Sequence, residues 1–252
     1  MITRRQTVID GLLTIVFGCT APCICASRET HKIGCVLNSA DANGYLEGVN
    51  AQTFSSGTEP IPRSGNRNFD IALAHTLANI SQTFEVLPGF AYYDDYDGHN
   101  AFATPEAKLN HTDGTVLFGQ GLLQNLLSGE DHPAISVSAV CAHEFGHILQ
   151  FKHNLINIVN QGQATVKRSE LQADYLAGYY AGVKKTQRQD FNAAVFATTQ
   201  HSFGDNMKGS PGHHGTPEER AAAIVAGFKL SYNDRKNLSD ALVISTAYVR
   251  GI

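Results

Sequence analysis

The run His143-Glu144-Phe145-Gly146-His147 constrains this chain more than any other stretch. A helix turns once in 3.6 residues, so side chains four apart stand above one another on one face. Imidazoles so placed can reach a single zinc ion. Glu144, the next residue round, points at the open side of such an ion, where a water would sit, and a carboxylate there suits a general base rather than a ligand. The competing reading is a buried helix whose two histidines are satisfied by hydrogen bonds. The flanks bear on the choice. Ile135, Val137, Val140 and Cys141 lead in and Ile148, Leu149 and Phe151 follow, so the helix is apolar nearly all round and belongs in a core. Ionisable groups in a core are costly without a partner, and zinc supplies one.

A third ligand has two candidates. A helical pattern from about Lys167 to Lys185 carries Glu170 and Asp174 one turn apart, with Gly178, Ala181 and Gly182 small enough to let another helix approach. A buried carboxylate pair needs a cation or donors. Glu170 as ligand, with Asp174 accepting the outer N–H of a ligating histidine, meets that need; the alternative is a surface Glu-Asp pair on an amphipathic helix. The rival ligand is His153, six residues after His147, but it requires the chain to leave the helix sharply at position 150, where Gln150 is a good helix former. In a continuing helix, six residues carry His153 roughly 240° round the axis, away from the metal and toward the last carbonyls. The balance favours Glu170.

An oxyanion formed in peptide hydrolysis needs a donor besides the metal. His201, His213, His214, Tyr175 and Tyr179 are the candidates, and spacing does not choose among them; His214 joins Glu144 as candidate catalytic residue.

The rest of the chain frames this site. Its 252 residues suffice for one domain with a full core, and a net charge of −4 leaves no basic footprint for nucleic acid. Arg4, Arg5 and the apolar run Leu12 to Phe17 read as a signal peptide over 1–26, too short to span a bilayer, with cleavage near Ala26-Ser27. The alternative end is a lipid anchor at Cys19. Either implies export to a periplasmic or secreted location. Cys35 and Cys141 then remain in the mature chain, to pair as a disulfide or to stand as two buried thiols.

Residues 27–68 read as an irregular segment with one short strand near Ile33 to Leu37. A helix from Phe69 to Phe84, capped by Asn68 and ended by Pro88-Gly89, precedes a strand at Phe90 to Tyr93. Asp94, Asp95 and Asp97 lack calcium-loop spacing and read as a solvated acidic turn. Two strands, Asn100 to Thr104 and Gly114 to Gly119, are followed by a helix at Leu122 to Leu127, and Pro133 opens the His-Glu helix. Further helices are expected from Asp190 to Thr199, from Thr216 with a capping box, and over 233–248.

H-E-F-G-H, Glu170-Leu171-Gln172-Ala173-Asp174 and His214-Gly215-Thr216-Pro217-Glu218-Glu219-Arg220 together resemble the neutral zinc metallopeptidases of the gluzincin clan. The stretch Asn100 to Leu127 is similar to the segment before the zinc helix in CAAX-protease-like metallopeptidases. The resemblance covers roughly residues 70–228. It implies an α+β, mostly helical, zincin-like domain over 69–252, one Zn2+ on His143, His147 and Glu170, Glu144 as base, and a peptide or protein substrate held along the edge of a small sheet beside the His-Glu helix. Two features depart from the pattern: the gap from His147 to Glu170 is short, and the membrane spans of the CAAX-type enzymes are missing.

Overall fold

The computed structural model describes residues 34–252 apart from 97, 130 and 131. The expected signal peptide, Cys19 and Asp97 lie outside the described residues. In chain order the elements are α1 (Ser39–Leu46), α2 (Arg67–Phe84), β1 (Gly89–Tyr93), β2 (Ala101–Thr104), β3 (Thr115–Gly119), α3 (Gln120–Leu127), α4 (Pro133–Lys152), α5 (Leu155–Val159), α6 (Lys167–Gln187), α7 (Ala194–Ser202), α8 (Pro217–Tyr232) and α9 (Leu238–Arg250). The architecture is α+β and mostly helical. No helix among the described residues is long and apolar enough to cross a membrane.

The sheet has the order β1-β3-β2, with β1 parallel and β2 antiparallel to the central β3. Both of its faces are buried, and the alternation of side chains divides them. Phe90, Tyr92, Val116 and Phe118 join the main core with α2 and α4, while Ala91, Tyr93, Phe102 and Leu117 form a second cluster with Leu37, Ala42 and Leu46. That second cluster accounts for α1, which the sequence reading left irregular. Its eight residues bury only Ala42 and Leu46, and Asn38 caps it by accepting from the N–H groups of Ala40 and Asp41. Among the described residues, the strand expected near Ile33 to Leu37 reduces to a single bridge between Val36 and Ala103.

Several boundaries move for local reasons. Asn66, not Asn68, caps α2, because its side chain accepts from Asn68 N and Phe69 N. The chain leaves α2 at Glu85 in a left-handed conformation, before Pro88 is reached. Asp190 does not cap α7; it pairs with Arg188, and the helix starts at Ala194. The last helix starts at Leu238, where Asn237 accepts from Asp240 N. Thr216 forms the expected capping box with Glu219, and Pro133 holds the first position of α4.

The close helix approach anticipated at Gly178 and Gly182 is made by α8. A Cβ on Gly178 would stand 2.0 Å from the Ile224 carbonyl oxygen, and one on Gly227 would stand 1.8 Å from that of Tyr175. Glycine on both sides therefore sets how far α6 lies from α8, and with it where Glu170 and Asp174 stand.

Candidate metal centre

Helix α4 buries a continuous run from Val137 to Gln150, and α6 one from Ser169 to Gly182. They cross at Gly146, whose Cβ position is 3.2 Å from Ala173 Cα. This contact brings His143 and His147 opposite Glu170. The two Nε2 atoms are 3.1 Å apart; Glu170 Oε2 lies 3.3 Å from His143 Nε2 and Oε1 lies 3.6 Å from His147 Nε2. A tetrahedral ion with bonds of about 2.0–2.3 Å holds its donors roughly 3.3–3.8 Å apart. The spacing fits such an ion.

The tautomers fit it too. His143 Nδ1 donates to Asp174 Oδ1 at 2.8 Å and His147 Nδ1 donates to Gln150 Oε1 at 2.8 Å. Gln150 can only accept there, since its Nε2 is already given to the Ser169 carbonyl and to Gln172 Oε1. With both Nδ1 atoms protonated, neutral imidazoles would turn two lone pairs toward each other, an arrangement that a metal ion or a proton on one Nε2 relieves. Glu170 Oε2 and Glu144 Oε2 are buried without a hydrogen-bond partner. Two ring nitrogens and unsatisfied carboxylate oxygens converging in a core are donors that a cation could satisfy.

A fourth donor completes the group. The thiol of Cys35 and the donor atoms of His143, His147 and Glu170 all lie within 4.8 Å of one another, and all four residues are buried. Cys35 N also donates to Glu170 Oε1 at 3.1 Å. Gly34 makes the approach possible: its φ is +73°, and a Cβ there would meet Glu170 Oε1 at 2.6 Å. This buried group could hold a metal ion. Of the two alternatives for Cys35 and Cys141, the structure has two buried free thiols and no disulfide between them. Two residues of helix turn Cys141 about 200° away from His143, into the main core, while Cys35 faces the metal group.

The electrostatics follow from burial. It pushes the Glu144 carboxyl up to about 8, with Glu170 adding to the rise. Burial opposes charge on His143 as well, but the Asp174 carboxylate outweighs it and lifts the imidazole to about 9. Glu170 stays well below the ordinary carboxylate range despite burial, because His147 and His214 stabilise its charge. A proton on His143 can thus supply part of the positive charge that a metal would bring.

His143, Glu144 and Cys35 line a cleft of about 160 Å³ together with His99, Asn100, His214 and Arg220. Larger hollows, such as that between Phe54 and Val86, gather no comparable donors. Of the five oxyanion candidates, only His214 reaches this cleft. His213 turns to Asp205 at 2.6 Å, Tyr179 donates to the Lys236 carbonyl, Tyr175 packs on Tyr248, and His201 is exposed. His153 is exposed at the end of α4, where its N–H closes on the Leu149 carbonyl.

The acidic turn is also revised. Asp95 is buried, accepting from Gly121 N at 2.7 Å and Leu122 N at 2.9 Å at the start of α3, a helix N-terminus that favours negative charge. Sequence reasoning gave no role to Gln150, Cys35 or Arg220 at the metal group. Only Arg220 left a signal, as the last residue of the His214 to Arg220 string.

Comparison of the chain with protein-family models, with curated proteins and with solved structures finds no match in any of the three.

Proposed function

We propose that the protein is a zinc-dependent peptidase in which Glu144 acts as general base. One observation carries the reading: a buried set of His and carboxylate donors with an unpartnered glutamate oxygen, on Glu144, beside it at the wall of a cleft. Two imidazoles with one carboxylate, and a thiol within reach, are donors that zinc accepts. His143, His147 and Glu170 would hold a zinc ion there, which would supply Lewis acidity.

The chain's own residues supply the rest. Glu144, with an unpartnered oxygen at the wall of the cleft, would take a proton from the attacking water and return it to the leaving amine. Asp174 and Gln150 hold the two imidazoles with Nε2 facing inward. His214, whose backbone N–H donates to Asp205 Oδ2 at 2.9 Å, stands in the cleft as a donor toward developing negative charge. The resemblance to neutral zinc metallopeptidases agrees with these roles, and with a peptide or protein substrate.

A second reading rests on Cys35: four buried donors describe a closed, purely structural metal site. Glu144 separates the two. Glu144→Gln should keep the metal, measured by elemental analysis, and lose peptide hydrolysis by about 10²–10⁴-fold, the usual worth of a general base. A mixture of diverse peptides mapped for cuts, with a metal-stripped control, supplies the assay. Equal hydrolysis by Glu144→Gln, or by the stripped protein, would reject the peptidase.

A further inference from the structure

We propose that residues Gly34 to Leu37 form a built-in strap that keeps the protein latent, lying along the edge of β2 with the Cys35 thiol in the fourth position of the metal group. The inference rests on the peptidase reading above and concerns regulation of that same site.

Two independent observations carry it. The first is chemical. A hydrolytic metal site needs one position left to water or substrate, yet here the thiol of Cys35 sits among the donors of His143, His147 and Glu170. Cys35 also lines the same cleft as Glu144, the group that a reacting water would have to face.

The second observation is topological and does not involve the metal. β2 is the edge of the sheet, and Ala101 at its start lines the cleft. An extended peptide binds such an edge through main-chain hydrogen bonds. The chain's own strap already makes them: Ala103 N donates to the Cys35 carbonyl at 2.8 Å, and Leu37 N donates to the Ala103 carbonyl at 2.9 Å. Val36 bridges Ala103 in the parallel sense. Extended substrate and strap thus compete for the same backbone groups as well as for the metal position.

The strap runs on its C-terminal side into an anchored element. Leu37 and α1 are anchored in the second core cluster. Gly34 to Val36 are held by the bond from Ala103 N, by Cys35 N on Glu170, and by the thiol. Displacing Gly34 to Val36 from the site is compatible with α1 staying in place in that cluster.

The test uses the mature protein loaded with cobalt for spectroscopy and zinc for assay, as wild type, Cys35→Ser and Cys35→Ser/Glu144→Gln. A cysteine thiolate on cobalt gives a sulfur-to-metal charge-transfer band in the near ultraviolet. We expect that band in the wild type and not in Cys35→Ser. We also expect Cys35→Ser to cut a peptide mixture at least about tenfold faster than wild type, the gain if under a tenth of the molecules have the strap displaced, and the double variant to be inactive. Should Cys35→Ser fail to fold, alkylation of the wild type decides: one thiol protected by metal and exposed by a chelator supports the strap, and equal reactivity in both states overturns it. No thiolate band in the wild type overturns the inference and leaves the peptidase reading intact if peptides are still cut. A band with no gain of activity in Cys35→Ser overturns latency and favours the closed structural site. Hydrolysis by no form of the protein overturns both.

Discussion

Arg220 holds Asp174 through both carboxylate oxygens, Nε to Oδ2 at 2.7 Å and Nη2 to Oδ1 at 2.9 Å, and the same Oδ1 accepts from His143 Nδ1 at 2.8 Å. Gln200 Oε1 and the Phe203 carbonyl take further Arg220 donors, so the guanidinium ties α6, α7 and α8 to one imidazole. Its charge also keeps the Asp174 carboxyl below its ordinary value against the cost of burial. Arg220→Ala would strand that carboxylate in the core, and losing one partner of a buried pair costs about 3–5 kcal/mol. It should also lower metal affinity by about 10–100-fold through the loosened His143. Arg220→Lys should recover little, because one ammonium cannot reproduce the fork. Denaturant unfolding of the metal-free proteins and metal competition titrations check the two effects separately; full retention by the lysine variant would contradict them.

Glu170 and His153 offer a sharper contrast. Glu170 faces both histidines from within the core, whereas His153 is exposed beyond the end of α4. Glu170→Gln should lose most of the metal, while His153→Ala should keep it. Metal content after dialysis against a weak chelator decides. Loss of metal in His153→Ala would move the third ligand to that residue.

What could be read from the sequence followed the helical period. His143 with His147, and Glu170 with Asp174, are neighbours by spacing alone, and the close approach of α6 to another helix was foreshadowed by the small residues that permit it. Cys35 could not be read that way. It lies 135 residues from Glu170 in sequence, and only the bridge of Val36 to β2 and the left-handed Gly34 bring it there. As one of the two cysteines expected to remain after a signal peptide, it invited a disulfide. Gln150 was legible as a helix former but not as the acceptor for His147 Nδ1, because that role depends on its contacts with α6. Helix α1 escaped notice for a different reason: eight residues with two buried positions carry almost no period.

Asp205 should make stability fall in acid. Burial works against its charge, but the N–H groups of His214 and Met207 and the His213 ring outweigh it, and the carboxyl falls from 3.8 to about 2. A group whose pKa is lower in the folded state stabilises that state fully above its unfolded value. The stabilisation is then lost as pH falls from 3.8 toward about 2. Asp205→Asn should be less stable at neutral pH and should show a flatter decline through this acid window. Urea midpoints of both proteins at neutral pH and at about pH 3 test the sign; parallel declines would show that Asp205 does not carry the effect.

Gly227 tests whether helix spacing positions the site. Its Cβ position lies 1.8 Å from the Tyr175 carbonyl oxygen, which belongs to the backbone of α6 and has no flexible end to move aside. Gly227→Ala must therefore drive α8 and α6 apart. Overpacking of this kind costs about 1–3 kcal/mol, more than the roughly 1 kcal/mol that alanine returns in helix propensity is able to offset in full. The displaced helix is the one that bears Glu170 and Asp174, so metal affinity should fall along with stability although residue 227 touches no donor. Gly209→Ala is the control: nothing lies within 4 Å of its Cβ position, and both quantities should be unchanged. If Gly227→Ala lost stability but bound metal as tightly as the parent, the donors would be held by α4 and α6 alone, independently of α8.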